Sequence, residues 1–96
     1  MTKAKSQKSL VDSYVIQKYI ERPLLIKGRK FDIRVWAMID NFGMTYFFEE
    51  GYIRTSCEEY KLEDLADVYV HLTNNAIQIN SEKYGMFEQA NQLSFK

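Results

Sequence analysis

The chain has 96 residues, of which 46% are hydrophobic and 15% aromatic, and its 13 basic and 13 acidic side chains cancel. This length allows at most one domain with a modest core, and the balanced charge excludes a strongly polarised or disordered chain. The single cysteine, Cys57, excludes an internal disulfide and a thiolate zinc cluster, and it indicates a reducing, cytoplasmic location. No apolar run is long enough to cross a bilayer, so we expect no membrane partner.

Residues 1–13 are polar and contain scattered lysines, which predicts a flexible lead-in before the folded part of the chain. The residues from Tyr14 to Ile20 are β-prone and predict a strand, which Pro23 ends or moves to a sheet edge. Residues 24–26 are apolar and are expected to pack, and the Lys-Gly-Arg sequence at residues 27–29 predicts a turn.

Strict alternation of apolar and polar residues over 30–39 predicts one strand with two different faces. Asp32 lies ~7 Å from Lys30 and from Arg34 at the usual rise of ~3.3 Å per strand residue. Such a cation, anion, cation strip suits a polyanionic ligand that also carries hydroxyl groups, for example a nucleoside triphosphate. The alternative is an antiparallel strand whose polar face is open to water.

Two further strands are predicted after this one. The turn-forming residues 40–43 separate it from an aromatic-rich strand over 44–49, which indicates a β-hairpin. A break at residues 50–51 precedes another strand over 52–56. We expect these three strands to lie side by side in one antiparallel sheet.

The last third of the sequence gives weaker signals. Ser56 and Glu59 have the spacing of a helix capping box, and residues 62–67 fit either a helical turn or a solvated loop. Alternation over 68–73 predicts another strand, and residues 86–96 resemble the start of a helix.

Common catalytic motifs are absent from the sequence: it contains no glycine-rich phosphate loop, GxSxG elbow, HExxH motif or paired-cysteine metal site. What remains is a set of polar residues at alternate strand positions, namely Lys30, Asp32, Arg34, Arg54, His71, Thr73 and Asn74. A lone histidine beside a strand end is more often structural than catalytic. The pattern alone therefore predicts an antiparallel sheet with one polar face and nothing more specific.

Five segments taken together carry a more specific signal: QKYIERPLLI, GRKFDIRVW, EEGYIRTSCEEY, VHLTN and YGMFEQANQ. In this order they resemble the tubulin tyrosine ligase and tubulin tyrosine ligase-like family over residues 14–96. The resemblance implies an α+β fold, with an antiparallel sheet and short helices, that forms part of an ATP-grasp module. It also implies an ATP-dependent ligase that adds an amino acid to the C-terminal tail of tubulin through an acyl phosphate. Tyrosine is the favoured amino acid, with glutamate and glycine as alternatives.

The resemblance also implies roles for individual residues. The nucleotide-binding positions include the segment that lines the adenine slot, a lysine and an aspartate beside the phosphates and ribose, and a motif beside the triphosphate: Gln17, Lys18, Tyr19, Ile20, Lys30, Asp32, His71, Thr73 and Asn74. Arg34 and Arg54 match arginines near the reacting phosphoryl and acyl groups, so we interpret both as catalytic. Their planar guanidinium groups can hold oxyanions through paired hydrogen bonds.

The sequence departs from the family pattern at both sides of these segments. Members carry a phosphate-binding lysine before them and a magnesium-binding E-x-N pattern after them, and Glu88 and Asn91 have the wrong spacing for that pattern. We therefore expect residues 14–96 to be the central part of an ATP-grasp domain that is inactive alone. ATP and Mg²⁺ are the expected cofactors, and the metal ligands are expected outside this chain.

Two functional classes remain open at this stage. The first is part of a tubulin ligase, and the second is a non-catalytic module that binds tubulin tails or another partner. Arg22, Lys27 and Arg29 are candidates for a basic surface that captures the acidic tail, with solvated loop charges as the alternative. The chain has no basic excess, so no nucleic-acid partner is expected. The expected location is the cytoplasm and the cytoskeleton, including the cilium or basal body.

Overall fold

A computed structural model describes residues 12–95, so all but the end of the predicted lead-in lies outside the described residues. The strands are β1 (Leu25–Ile26), β2 (Arg29–Arg34), β3 (Ala37–Ile39), β4 (Thr45–Phe47), β5 (Tyr52–Glu59) and β6 (Gln92–Ser94). The helices are α1 (Val68–His71), α2 (Asn75–Gln78) and a 3₁₀ helix (Gln89–Asn91). The predicted α+β class with an antiparallel sheet and short helices is confirmed.

The main sheet is antiparallel and has the strand order β1-β2-β5-β6. The turn between β1 and β2 is formed by Lys27 and Gly28, whose φ angles are 48° and 75°. Two successive positive φ angles match the right-handed twist of the flanking strands, so such pairs are typical of tight hairpins. The turn predicted at residues 27–29 is therefore confirmed.

The central pair of this sheet, β2 and β5, contains a register shift. Arg29 is opposite Glu59 and Phe31 is opposite Thr55, so residues 56–58 of β5 occupy the space where β2 has only Lys30. This irregularity is a β-bulge, which bends a strand and changes the direction of nearby side chains.

A second, two-stranded sheet consists of the β3–β4 hairpin, in which Ala37 is opposite Phe47. Its turn is held by Asp40, whose carboxylate accepts hydrogen bonds from the backbone N–H groups of Phe42 and Met44, each at 2.9 Å. The predicted hairpin is thus confirmed.

The prediction of one strand over residues 30–39 is wrong, because the strand is interrupted at Val35 and Trp36 and its two halves join different sheets. The carbonyl of Trp36 accepts from the N–H of Phe48 at 2.9 Å, whereas β2 pairs with β5. The predicted side-by-side order of the three strands is wrong for the same reason. Alternation reports the period of a strand and carries no information about a change of partner.

Three other predicted elements are also wrong. Residues 14–20 form no strand, since no neighbouring strand supplies the hydrogen bonds that a strand requires. Residues 68–71 form helix α1, because the carboxylate of Asp67 accepts from the N–H of Tyr69 at 3.0 Å and caps the first turn. Residues 92–94 form β6 where a helix was expected, and the capping-box pair Ser56 and Glu59 lies within β5.

The interior is unusual because most of the buried side chains are polar. Among residues 12–95, the buried apolar side chains are Cys57 and Val70, and the buried polar ones are Arg29, Thr55, Ser56, His71, Thr73, Gln78 and Asn91. Leu24, which was expected to pack, is 80% exposed. Helix α1 packs against β2 and β5, and this contact places the His71 and Thr73 region beside the central strands. No helix in the described residues is long and apolar enough to cross a bilayer.

Candidate functional site

A cleft of about 760 Å³ lies between the extended segment 17–20 and the region where β2 meets α1. Its walls combine apolar and polar groups, supplied by Gln17, Lys18, Tyr19, Ile20, Pro23, Lys30, Phe31, Leu65, His71 and Leu72. The structure therefore brings the predicted adenine-slot segment to the same cleft as Lys30 and His71, although these residues are far apart in sequence.

Lys30 is held at the cleft wall by two hydrogen bonds. Its Nζ donates to the hydroxyl of Tyr19 at 3.2 Å and to the backbone carbonyl of His71 at 2.9 Å. The ammonium also lies 4.7 Å from the centre of the Tyr19 ring, which is within the range of a cation–π contact. This position follows from the alternation along β2, which directs Lys30 toward α1.

His71 is buried, and both of its ring nitrogens have partners. Nε2 is 3.0 Å from the carbonyl oxygen of Asp64, and Nδ1 is 2.7 Å from the Tyr19 hydroxyl. Because a carbonyl can only accept, Nε2 carries the proton, and a neutral ring then accepts at Nδ1 from Tyr19. The imidazole of His71 therefore links Asp64 to Tyr19 at the cleft wall, and its role in nucleotide binding stays a prediction.

Asp32 lies next to this cleft at the junction of β2, β5 and the residue after α1. Its carboxylate accepts two hydrogen bonds from the guanidinium of Arg54, one of them from Nε at 2.8 Å, and one from the Thr73 hydroxyl at 3.0 Å. Burial opposes its ionisation, but the bonds from Arg54 and Thr73 and the charges of Arg54 and Arg34 hold the pKa of Asp32 below its usual value. The hydrogen bonds to Asp32 likewise raise the pKa of Arg54.

Arg34 lies on the same side of the sheet as Asp32 and Arg54. Asp32 and Arg54 are opposite each other on β2 and β5, and Arg34 is two residues further along β2. Among residues 12–95 no hydrogen bond to the Arg34 guanidinium is found, and the side chain is exposed. The two predicted arginines are thus close together, and they differ in that Arg54 is already anchored.

Thr73 and Asn74 follow α1 after Leu72. Thr73 is buried and bonded to Asp32, whereas the Asn74 side chain is exposed and its backbone carbonyl accepts from Ile77 and Gln78 at the start of α2. Because Asn74 follows Thr73, which is bonded to Asp32, it lies near the polar face of β2.

A second polar cluster, which the sequence did not predict, occupies the opposite side of β2. Arg29 is 1% exposed and donates to the Ser56 carbonyl at 2.9 Å and to the Glu88 carboxylate at 2.5 Å. Glu88 also accepts from the Thr55 hydroxyl at 2.6 Å, and Asn91 donates to the Thr55 carbonyl at 3.0 Å. Burial opposes ionisation of Glu88, but the bonds from Arg29 and Thr55 outweigh this cost and lower its pKa.

This cluster corrects one prediction and explains another observation. Arg29 was a candidate for a tail-capturing surface, and that is wrong because its guanidinium is buried against Glu88 and the ring of Phe87. Glu88 and Asn91, whose spacing did not fit a magnesium motif, are tied to β5. The only sequence signal for this cluster was that Glu88 and Asn91 both lie in the YGMFEQANQ segment.

Within residues 12–95, no three acidic, histidine or cysteine side chains are grouped so that they could hold a metal ion. Asp32 is surrounded by Arg54 and Thr73, both hydrogen-bond donors, so its carboxylate is arranged for hydrogen bonding. The described side chains do not form a magnesium site by themselves.

Comparison with known proteins gives consistent matches over most of the chain. Residues 2–95 match the model of the tubulin-tyrosine ligase family. The chain is 49% identical over 74 residues to Tubulin glycylase 3B of Tetrahymena thermophila, which covers 74% of this chain and 6% of that protein. It is 42% identical over 76 residues to the Probable tubulin polyglutamylase TTLL9 of Bos taurus, covering 77% of this chain and 16% of that protein.

A third relative is Tubulin monoglycylase TTLL3 of Homo sapiens, 46% identical over 71 residues, which covers 72% of this chain and 9% of that protein. The chain therefore spans between 6% and 16% of the length of these three relatives. The matched region includes both the cleft and the polar strip on β2 and β5.

Proposed function

Because this chain belongs to the tubulin-tyrosine ligase family, we propose that it forms one wall of the nucleotide and acyl-transfer site of an ATP-dependent ligase. In this proposal, the complete protein joins an amino acid to the C-terminal tail of tubulin. Support comes from relatives that are named as tubulin glycylases and as a probable tubulin polyglutamylase. Its location would then be that of its substrate, the tubulin cytoskeleton.

The observation that carries the proposal is the junction at Asp32. One carboxylate joins Arg54 from β5 to Thr73 from the segment after α1, and Arg34 lies on the same side of the sheet. Separate solvated strands would not need such a partly buried link. The junction supports a single site in which cations, a carboxylate and hydroxyl groups face one ligand.

The cleft has the chemistry that ATP needs. The segment 17–20 offers backbone groups and the Tyr19 ring beside the apolar side chain of Leu72, which suits a flat base. We assign Lys30 to the phosphates, and Asp32, which has accepting capacity left after three hydrogen bonds, to a ribose hydroxyl. Thr73 and Asn74 complete the polar edge of this wall.

The reaction in this proposal has two steps. A carboxylate oxygen of the tubulin tail attacks the γ-phosphorus of ATP, the bond to the β-phosphate breaks, and an acyl phosphate and ADP result. The amine of the incoming amino acid then attacks the acyl carbon, the amine loses a proton, inorganic phosphate leaves, and an amide bond remains. Both steps place negative charge on oxygens, so preset cations are the main requirement.

Arg34 and Arg54 are our candidates for those cations. Two of the N–H donors of Arg54 are used by Asp32, and the remaining donors on its fixed guanidinium can meet an oxyanion. Arg34 is free to reorient, which suits a group that follows the charge from phosphoryl to acyl oxygen. Magnesium would add charge neutralisation when bound, and its ligands remain predicted outside this chain.

The amino acid that is added is a finer question. The three relatives are named for glycine or glutamate addition, which favours those two donors. Tyrosine, which the YGMFEQANQ segment favoured, stays a prediction. Competition among labelled glycine, glutamate and tyrosine in one assay decides it.

The test is ligation by the protein at its natural full length, with ATP, magnesium, labelled amino acid and tubulin. We expect incorporation that Arg34→Ala reduces strongly without unfolding the protein, because Arg34 has no hydrogen bond in the described part of the chain that folding would lose. Arg54→Ala should abolish incorporation, and it also removes the two hydrogen bonds that the guanidinium donates to Asp32. Lys61→Ala, which removes an exposed cation elsewhere, is the matched control and should leave incorporation unchanged.

Binding of tubulin tails without any incorporation would overturn the ligase proposal and support the non-catalytic binding module. Equal incorporation by Arg34→Ala and the wild type would remove Arg34 from the reaction.

A further inference from the structure

We propose that Tyr19 and His71 are positioning residues that aim the Lys30 ammonium group at a phosphate of the nucleotide. This inference rests on the proposed function, because it assumes that the cleft binds ATP. It assigns roles that the family resemblance did not give: the Tyr19 hydroxyl and the His71 ring act through Lys30.

The first step of the argument is the count of donors on Lys30. An ammonium group has three N–H donors and no acceptor. One donates to the Tyr19 hydroxyl at 3.2 Å and a second to the His71 carbonyl at 2.9 Å, both on the cleft wall. The third N–H has no acceptor among residues 12–95 and is left for an anion in the cleft. Two fixed bonds thus convert a flexible lysine into a directed donor.

The second step is that the acceptors of Lys30 are themselves fixed. The Tyr19 hydroxyl has a single proton, and it donates that proton to Nδ1 of His71 at 2.7 Å. Its lone pairs therefore face Lys30. The tautomer of His71 that makes this possible is set by Asp64, whose carbonyl accepts from Nε2 at 3.0 Å. The Asp64 carbonyl fixes Nε2 of His71 as a donor, and the Lys30 ammonium fixes the Tyr19 hydroxyl as an acceptor, so the Tyr19 proton is left for Nδ1.

The third step distinguishes a hydroxyl that orients Lys30 from one that only anchors the extended segment at residues 17–21. Tyr60 provides the comparison, because its ring also meets the His71 ring edge-on, at the same centroid distance of 5.6 Å as the Tyr19 ring. Its hydroxyl donates to the backbone carbonyl of Glu21 at 2.8 Å and so ties down the same segment. Among the described residues Tyr60 makes no hydrogen bond to Lys30 or His71, although desolvation and the nearby Tyr19 hydroxyl raise the pKa of Tyr60. The hydroxyl that bonds to the Glu21 carbonyl and the hydroxyl that bonds to Lys30 can therefore be removed separately and their effects compared.

The experiment uses the protein at its natural full length and measures displacement of trinitrophenyl-ATP by ATP, followed by ligation rates at varied ATP concentration. Tyr19→Phe keeps the ring and its contact with the ammonium but removes the hydroxyl. We expect it to raise the Kd and the KM for ATP between about three-fold and ten-fold, the range of one lost hydrogen bond, and to leave kcat unchanged. Tyr60→Phe should change both constants clearly less than Tyr19→Phe, because the Tyr60 hydroxyl donates to the Glu21 carbonyl and makes no hydrogen bond to Lys30.

A double-variant cycle tests that Tyr19 acts through Lys30. In a Lys30→Met background, Tyr19→Phe should have no further effect on the Kd for ATP, because the group that it positions is gone. His71→Gln should weaken ATP binding in the wild type and much less in the Lys30→Met background.

The outcomes distinguish this inference from the proposed function. If the wild type binds no ATP, the proposed function fails and the inference falls with it. If the wild type binds and uses ATP but Tyr19→Phe and Tyr60→Phe have equal effects, only the positioning role is overturned. Additive effects of Tyr19→Phe and Lys30→Met would overturn it in the same way.

Discussion

The cluster around Arg29 buries polar side chains, whereas the β3–β4 hairpin exposes apolar ones. Arg29, Thr55 and Asn91 are at most 2% exposed and are joined by hydrogen bonds, although they are polar. In the hairpin, Phe47 and Met38 are apolar and yet 67% and 59% exposed. Within the described residues, hydrogen-bonded polar side chains form more of the interior than apolar side chains do.

This difference teaches that the two regions contribute to stability in different ways. A buried charge that loses its partner leaves an uncompensated charge in a poorly solvated site, which is costly. An exposed aromatic side chain loses little when it is replaced, since it has little buried area to lose. The comparison can be tested by substitutions whose expected effects range from several kcal/mol to almost none.

The largest effect is expected for Arg29→Met, which removes the cation and leaves Glu88 buried without it. The free energy of unfolding, measured by urea denaturation, should fall by about 3–5 kcal/mol. The matched control is Lys83→Met, which breaks the Lys83–Glu58 ion pair, whose lysine side chain is 48% exposed, and should change stability little. A loss no larger for Arg29→Met than for the control would contradict the comparison.

Gly51 joins the hairpin to β5, and Gly51→Ala should have the next largest effect. A methyl group there would overlap the backbone carbonyl of Arg34 and lie 2.6 Å from the ring of Phe95. Relieving this overlap moves the strand ends, and we expect a loss of about 1–3 kcal/mol in the same denaturation experiment. The control is Gly51→Ala combined with Phe95→Ala, which removes the ring but not the clash with the carbonyl. Full recovery in the double variant would show that the carbonyl contact is unimportant.

A smaller effect is expected from acid. The pKa of Glu88 is lowered in the folded protein, so its stabilisation is fully present above the ordinary pKa of a carboxyl and is lost as pH falls through the lowered pKa. Stability should therefore decline from about pH 5 downward. In Glu88→Gln this decline should be shallower, leaving the part due to Asp32, whose pKa is also lowered. Parallel acid curves for wild type and variant would exclude the role of Glu88.

The smallest effect on stability is expected for Phe47→Ser in the hairpin. Its side chain is 67% exposed, so the free energy of unfolding should change by less than about 0.5 kcal/mol. Ala37, the residue opposite Phe47, gives a control variant, Ala37→Ser, on the same pair. A loss comparable with that of Arg29→Met would mean that the aromatic side chains of the hairpin carry stability that their exposure does not reveal.

Local chemistry made part of the fold predictable. The turns at residues 27–28 and 40–43 follow from glycine and aspartate, whose preferences act within a few residues. The alternation that placed Asp32 and Arg34 on one face also held, because a period of two persists over any regular stretch of strand.

The part of the fold that the sequence did not predict depends on contacts with residues that are distant in sequence. Val68, Tyr69 and Val70 have strand propensity, yet they form a helix because Asp67 caps it and Val70 is buried against the sheet. Residues 14–20 have the same propensity but lack a strand beside them. Tertiary contacts decide between such alternatives, and the sequence near each residue does not contain them.

The sequence predicted which residues belong to the candidate site, but it did not predict the hydrogen bonds that join them. The grouping of Lys30, Asp32 and Arg54 came from alternation and from the family resemblance, and their role in binding stays a prediction. The chain from Asp64 through His71 and Tyr19 to Lys30 links residues that are distant in sequence, so no local pattern could indicate it.

The alternation along β2 places two adjacent cations on opposite faces of the strand, with Arg29 directed to the interior and Lys30 to the cleft. Inserting one residue between them would turn every later side chain of β2 over. Asp32 would then point to the face that carries Glu88, and Phe31 would occupy the place of the carboxylate. The strand should consequently tolerate hardly any change in its length.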